Sequence, residues 1–543
     1  MKVFDRNKER SGHLSSTMLW CYLLISTGIL LRLFFFFYNR SLWMDEVYLS
    51  SSLIKMNFQE LATQTLDYQQ KAPIGVLWIV KLLVNLWGTN EMVLRLFPLL
   101  CGIVSLFVFL PVVKYFLRPM GVIVAIGILA LAPPLIFHSV EIKQYATELL
   151  ATILLFYLYI RYKDKNTIPA LFLWGFWIAV IIWFSYSALF IFAGMMTGLG
   201  CKYLIRRNWN TMFRLMIPVC LGLFSFLLNY VLFTHRHAES KWIVYWFDFY
   251  HNFMPFPPLN RGDLQWYPAA LYHLIDYPLG LTWKFYTGNS ALLKMIFKFP
   301  WIPIFCLFYG LWLFYKERRD FLILLFPFLF VFLASALKLY PLNERFWVFI
   351  SPLLIIFIAR AADESSLFAA GYKLRNLVPV LLLAGPLYGS LFFLIHPDEF
   401  IIHKRSFERE ALSFVDSRFR PGDIVYVYWN NLPGYRFYHN THPYKFTAME
   451  GKDYRLVSTS YPDYLTHLGE DFNSFKGKKR VWLIYNDFYH TDIGDKIDQP
   501  AWYYLKDKNP TDRLLTYFSN LGENTPVYNS FDIKVVLVTL KPH

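Results

Sequence analysis

Polar clusters interrupt an otherwise apolar chain, and each combines residue types that can do chemistry. Asp45 and Glu46 follow the apolar block Thr17–Tyr38, with Trp43 and Tyr48 beside them. A carboxylate there can act as base toward a hydroxyl; equally, acids that open a helix answer its dipole. The run Asp67-Tyr68-Gln69-Gln70-Lys71-Ala72-Pro73 places Lys71 directly before an apolar stretch at 74–87. That lysine is either a cation for a lipid phosphate or a snorkelling side chain. His138-Ser139-Val140-Glu141-Ile142-Lys143-Gln144-Tyr145 packs a base, an acid and a cation into eight residues, and reads as a functional turn or a solvated one. Lys338 through Arg345 contains Tyr340 and ends in a cation that faces headgroups or a cavity. Arg32 is a charge inside an apolar block; such residues pair, line a cavity or snorkel. His235 and His237 are two apart, with Glu239 nearby. In an extended segment they share one face and can ligate a metal, against the default of a solvated loop.

The elements that must position these groups are membrane spans. The 543 residues are 56% hydrophobic and only 17% charged, against roughly 25% charged in a soluble domain. Apolar blocks of about twenty residues match the hydrocarbon thickness. Besides 17–38, spans are expected near 91–117, 121–137, 146–162, 168–184, 186–204, 212–233, 299–315, 321–338, 346–360 and 377–395, about eleven in all. The net charge of +15 sits at the ends of these blocks, which points to membrane lipids and away from nucleic acid. With the N-terminus inside, the inner loops hold Lys114 and Arg118; Arg161, Lys163 and Lys165; Lys202, Arg206, Arg207 and Arg214; Lys316, Arg318 and Arg319; and Arg360, Lys373 and Arg375. That is the positive-inside pattern. All the chemical clusters except Arg32 then fall in outer loops. The 14-residue stretch 74–87 is short for a span and reads as an interfacial helix. The five cysteines lie in apolar blocks without metal-knuckle spacing.

Residues 1–395 are therefore expected to form the transmembrane domain, with outer loops 39–90 and 234–298. The tail, 396–543, changes composition. A helix at 406–419 leads to a strand at 423–428, another strand lies at 481–485, and a helix at 511–521 precedes a strand at 532–540. This is a small α/β domain, without a glycine-rich phosphate loop after its first strand. An odd span count puts it outside the cytoplasm. The fold class is a polytopic α-helical membrane protein with a C-terminal α/β domain, multi-pass in the cell inner (plasma) membrane.

Four motifs in order carry a family resemblance: Asp45-Glu46 after the first span, Tyr68-x-x-Lys71-x-Pro73, the Gln144-Tyr145-Ala146 turn, and Tyr340-Pro341 followed by Arg345. Over about 17–395 the chain resembles the GT-C glycosyltransferases that use polyprenyl-phosphate sugars, such as protein O-mannosyltransferases and lipid A aminoarabinose transferases. The resemblance implies a membrane glycosyltransferase with Asp45 as catalytic aspartate and Glu46 beside it for acceptor or sugar contacts. Lys71, Tyr68, Tyr340 and Arg345 match phosphate-side residues. Lys143 stands where relatives have arginine, and Arg32, Glu141 and Tyr145 are supporting candidates. Gln70 replaces an acid that takes part in metal binding in one branch, so metal dependence does not carry over. A divalent metal is left open, with His138, His235 and His237 as weak ligand candidates.

The chemistry follows from the donor. A polyprenyl phosphate is already a good leaving group, so the needs are a base, cations and a dry cavity. One base suits inverting displacement through an oxocarbenium-like transition state. Adjacent carboxylates on a helix point about 100° apart, so Asp45 and Glu46 have separate roles. The partners are a polyprenyl-phosphate-linked sugar donor and a lipid, glycan or protein acceptor. Two rival classes share the membrane setting. A flippase or transporter would show internal repeats and mid-membrane charges, and no repeat is found. A surface-polysaccharide polymerase or ligase would lack the Asp-Glu after the first span.

Overall fold

The computed structural model describes residues 2–237, 241–283, 290–318, 320–368, 377–400, 405–487, 500, 502–503 and 510–541. Glu239, Arg319, Lys373 and Arg375 lie outside the described residues, as do the side chains of Lys2, Arg6, Lys8, Arg10 and His237. The chain divides into two compact units: Met1–Tyr38, Met56–Gly88 and Met92–Pro397 in one, and Asn39–Lys55, Thr89–Glu91 and Asp398–His543 in the other. The first outer loop is thus shared out, and the segment carrying Asp45 and Glu46 groups with the tail.

The first unit is helical, and each expected apolar block holds a helix. Among the described residues, six stretches are long and apolar enough to cross a membrane: Ser16–Tyr38, Glu91–Phe116, Ala188–Ile205, Trp209–Leu232, Glu344–Glu364 and Leu377–Ile395. These are the lengths and composition of an integral membrane protein. Ile74–Trp87, Pro119–Leu131, Ile168–Ile182 and Phe321–Ala336 are apolar but shorter. The expected span at 121–137 is two helices, Pro119–Leu131 and Pro133–His138, broken at Ala132. Pro133 and Pro134 have no N–H to continue the ladder, which explains the break. The window in Glu344–Glu364 is 94% buried, against 28% for Trp209–Leu232 and Leu377–Ile395. The former is a central helix; the latter two present apolar faces outward. Region 234–298 is more than loop, with helices Lys241–Phe249 and Arg261–Asp276.

Small residues bring the helices together. A Cβ on Gly198 would meet the Ile323 backbone at 2.8 Å, and one on Gly28 would meet Ala130 at 2.9 Å. Without a hydrophobic drive between helices in lipid, such close approach is what holds a bundle.

The second unit contains a five-stranded sheet: β1 (Ile424–Val427), β2 (Met449–Glu450), β3 (Arg480–Asn486), β4 (Gly522–Asn529) and β5 (Ile533–Leu540), in the order β2-β1-β3-β5-β4. β1 is parallel to β2 and β3, and β5 is antiparallel to β3 and β4. Val481, Leu483, Val536 and Val538 bury one face against Leu468, Leu514 and Phe518. This is the small α/β unit read from the tail, with β2 and β4 in addition. β4 (GENTPVYN) has no apolar alternation; it forms because β5 offers an antiparallel edge across a short turn.

Candidate active site

In the first unit the cations are set by backbone breaks. Asp67–Gln69 is a 3₁₀ turn in which Tyr68 and Gln69 adopt φ of 54° and 53°. Left-handed backbone is uncommon for side-chain-bearing residues. The turn leads through Lys71 and Ala72 to Pro73, which opens helix Ile74–Trp87. Tyr186 Oη donates to the Ala72 carbonyl at 2.8 Å, and the Gly75 N–H donates to Trp183 O at 3.0 Å. Lys71 is half-buried, and burial holds its ammonium pKa below the ordinary lysine value. A cation just before a helix N-terminus suits an anion twice over. Lys143 Nζ donates to Gln70 Oε1, so the second cation lies beside the residue that precedes Lys71. Tyr68 itself is 43% exposed.

The turn that carries Lys143 depends on Arg32. Pro133 and Pro134 cannot donate to the carbonyls four residues back, those of Leu129 and Ala130. Arg32 supplies the missing donors: Nη2 reaches Leu129 O at 3.1 Å and Nη1 reaches Ala130 O at 3.2 Å. Its Nε donates to Ser139 Oγ at 3.1 Å, and Ser390 Oγ donates to Leu131 O at 2.6 Å. Arg32 is fully buried. It does not snorkel; it caps a broken helix and ties it to the next turn.

Within that turn His138 and Glu141 are buried, with Nδ1 and Oε2 2.6 Å apart. His138 Nε2 lies 3.2 Å from Tyr277 Oη. Tyr145 packs edge-on to His138 at 5.0 Å, and the Arg345 guanidinium lies 5.9 Å over the Tyr145 ring. Tyr340 Oη donates to the Phe346 carbonyl at 3.3 Å, so its hydroxyl shapes the loop that presents Arg345. The structure thus brings Gln70 to Lys143, joins His138, Glu141 and Tyr277, and sets Arg345 against Tyr145. Tyr277 was missed in the sequence, because it lies in an outer region rich in aromatics where no one tyrosine stands out.

Two of the three metal candidates, His138 and His235, have described side chains. His138 bonds to Glu141 and Tyr277, whereas His235 is exposed with Nδ1 3.1 Å from the Tyr230 carbonyl. Among the described residues there is no group of three or more His, Cys, Asp or Glu able to hold a metal ion.

In the second unit, Asp45 lies in the first turn of helix Met44–Lys55 and is partly exposed. Glu46 turns inward and is fully buried. Its Oε2 lies 2.7 Å from Arg40 Nη1 and accepts from the Trp43 N–H at 3.3 Å. This carboxylate closes the helix start. The segment before it is held by the α/β elements. Tyr438 Oη accepts from the Leu42 N–H at 2.8 Å, Ser41 Oγ donates to Glu410 at 2.5 Å, and Arg409 Nη2 donates to Asn39 O at 2.7 Å. Arg409 also pairs with Glu91 at 2.7 Å. Tyr438, Arg409 and Glu410 are positioning residues that no sequence motif announced.

Comparison with known proteins adds the following. Residues 71–234 match the family model for dolichyl-phosphate-mannose-protein mannosyltransferase. No curated protein sequence matches the chain. The fold is similar to ArnT from Cupriavidus metallidurans bound to undecaprenyl phosphate, with TM-score 0.55, 13% identity and coverage of 95% of this chain and 98% of that one. The apo form of the same protein gives TM-score 0.53 at 13% identity, covering 96% and 98%. Archaeal AglB from Archaeoglobus fulgidus, in complex with an inhibitory peptide and a dolichol-phosphate, gives TM-score 0.45 at 11% identity, covering 93% and 72%. The chain thus shares the GT-C fold of ArnT, and its segment 71–234 resembles the dolichyl-phosphate-mannose-protein mannosyltransferase family model.

Proposed function

We propose that this protein transfers a sugar from a polyprenyl-phosphate donor to an acceptor hydroxyl at the outer face of the inner membrane. The observation that carries the reading is the cationic loop pair of the helical unit. Lys71 stands before a helix N-terminus and Lys143 is bonded to Gln70, in the stretch that matches the mannosyltransferase model. The ArnT structure that shares the fold has undecaprenyl phosphate bound, which supports a lipid phosphate as the ligand of these cations.

In this reading Lys71, Lys143 and Arg345 offset the charge that builds on the leaving phosphate. Tyr68 lies beside Lys71 at the headgroup level. Asp45 is the base that takes the acceptor proton, and Glu46 holds its turn through Arg40. The displacement inverts the sugar, since one carboxylate acts. In the same reading the N-terminus is cytoplasmic and 396–543 is extracytoplasmic, which the basic inner loops support.

The test is reconstitution of the purified protein in liposomes with radiolabelled undecaprenyl-phosphate sugars and an envelope glycolipid and glycoprotein extract. Label should move into an acceptor and leave undecaprenyl phosphate behind. If every donor stays intact while label crosses the bilayer, the protein is a transporter instead. A reporter active only in the cytoplasm, fused after His543, should be silent; activity would reverse the topology.

A further inference from the structure

Charge is distributed unevenly where the spans of the helical unit end. Near Glu364 the cations are matched by acids: Arg118 and Arg360 lie 3.2 and 3.0 Å from its carboxylate, and Arg360 also pairs with Glu317. Residues 161–167 and 202–214 are different, for they hold seven cations and one acid, Asp164. Asp164 pairs with Lys163 at 3.1 Å. Asp320, on a neighbouring turn, accepts from Lys202 Nζ at 2.8 Å and from the hydroxyls of Tyr115 and Tyr159 at 2.6 and 2.8 Å. That leaves Arg161, Lys165, Arg206, Arg207 and Arg214, none of which has an acidic partner among the described residues. Lys165 rests 5.1 Å over the Tyr162 ring.

The fold holds these cations in one place. Helices Ile168–Ile182 and Trp209–Leu232 pack closely, so that a Cβ on Gly175 would meet Pro218 Cα at 2.9 Å. Arg214 Nη1 donates to the Asn166 carbonyl at 2.9 Å, and Tyr203 Oη donates to the Lys163 carbonyl at 3.4 Å. The two turns are thereby laced together, and both helices start beside them. Asn208 caps the second helix by accepting from the Thr211 N–H at 3.2 Å. Thr167, at the cap position of the first, makes no such side-chain bond, so leading N–H groups of that helix need a partner from outside it.

Apolar surface adjoins the charge. Ala188–Ile205 and Trp209–Leu232 are long and apolar enough to cross a membrane, so the turn joining them, Arg206 to Asn208, lies at its boundary. Ile205 is 74% exposed, Phe213 66% and Ile168 60%, and Trp209 is the kind of aromatic that sits at that level. A free anion would use the cations and leave this flank bare. An anionic phospholipid uses both, with its phosphate on guanidinium groups and a helix start and its acyl chains along the apolar side chains. We propose that the turns 161–167 and 206–209 form a binding site for the phosphate headgroup of an anionic phospholipid. The inference shares no residue with the donor site and stands apart from the glycosyl-transfer reading.

The experiment titrates cardiolipin, which carries two phosphates, or phosphatidylcholine into the full-length protein in detergent and counts bound lipid by native mass spectrometry. Cardiolipin should bind at least about tenfold more tightly. Arg206→Gln with Arg207→Gln should remove that advantage; both side chains are exposed, so the fold has no need of them. Arg161→Gln with Lys165→Gln should act alike, which guards against a folding defect in one variant. Lys114→Gln with Lys316→Gln removes the same charge from other span ends and should leave cardiolipin affinity as in the wild type. Equal affinity for the two lipids overturns the proposal. So does an equal loss in the Lys114 and Lys316 double variant, since the cations would then act only as a diffuse topology signal. Displacement of cardiolipin by a millimolar excess of inorganic phosphate would make this a site for a free anion, and also overturns it.

Discussion

In the helical unit, the polar groups that matter are buried between helices and come with partners already supplied. Arg32 makes three bonds to the kink at Ala132 and Ser139, His138 is held between Glu141 and Tyr277, and Lys143 is bonded to Gln70. In the other unit, Asp45 stands partly exposed beside acids that are buried. Asp45 opens a short helix whose start is stapled by Glu46 to Arg40 and by Tyr438 to Leu42. The difference follows from solvent. In hydrocarbon an unpaired carbonyl or charge is costly, so a cation site must be wired internally before it can receive an anion. Where water can serve the backbone, a partly exposed side chain such as Asp45 needs only its turn to be held.

The comparison predicts that damage to the wiring of the helical unit costs the fold, whereas damage to its cations costs donor binding. Arg32→Met leaves the Leu129 and Ala130 carbonyls unpartnered at roughly 1–3 kcal/mol each. The thermal stability of the purified protein should fall sharply, with Arg32→Lys recovering only part. Wild-type stability in Arg32→Met would mean the kink does not need its cap.

Lys71→Met should weaken undecaprenyl phosphate binding by roughly 10–100-fold, the worth of one charged hydrogen bond, with stability preserved. Burial lowers the Lys71 pKa, so affinity in the wild type should decline with rising pH earlier than for an exposed lysine. Titration of binding against pH in both proteins checks this. A variant that loses only expression would return Lys71 to a snorkelling role.

The second unit should respond to pH in the opposite sense from an ion-paired acid. The folded pKa of Asp532, about 6, lies above its ordinary 3.8. The folded state therefore holds this proton more tightly, so stability is gained as pH falls through 6 and lost as pH rises through it. The contribution is no more than about 3 kcal/mol, and Glu408, also raised, adds in the same direction. Unfolding midpoints at pH 5 and 7.5 should differ less in Asp532→Asn than in the wild type. An equal difference would place the titration elsewhere.

The smallest effect expected is none. Gln70 is engaged by the Lys143 ammonium, where a metal-binding relative would carry an acid. EDTA, and zinc, magnesium or manganese added afterwards, should leave the transfer rate unchanged. Loss with chelator and recovery with one ion would reveal a metal site.

Much of this was legible in the sequence, and the limits are instructive. Apolar blocks placed the helices, because length and hydropathy fix what lipid accepts. The α/β tail showed in β3 and β5, whose residues are apolar in runs, but not in β4, whose pairing comes from its neighbour. The clusters at 67–73, 138–145 and 338–345 stood out because charges are rare in such a chain. What the sequence hid was their wiring. Arg32 serves carbonyls about 97 residues away, and Tyr277 meets His138 across 139 residues. Glu46 reads as a surface acid by its neighbours, yet Arg40 draws it inward.

The most direct test compares Asp45→Asn with the wild type, using one labelled undecaprenyl-phosphate sugar. The account predicts that turnover falls by at least about 100-fold, as for loss of a general base, while undecaprenyl phosphate affinity and thermal stability stay as in the wild type. Wild-type turnover in well-folded Asp45→Asn would remove Asp45 from the mechanism and contradict the account.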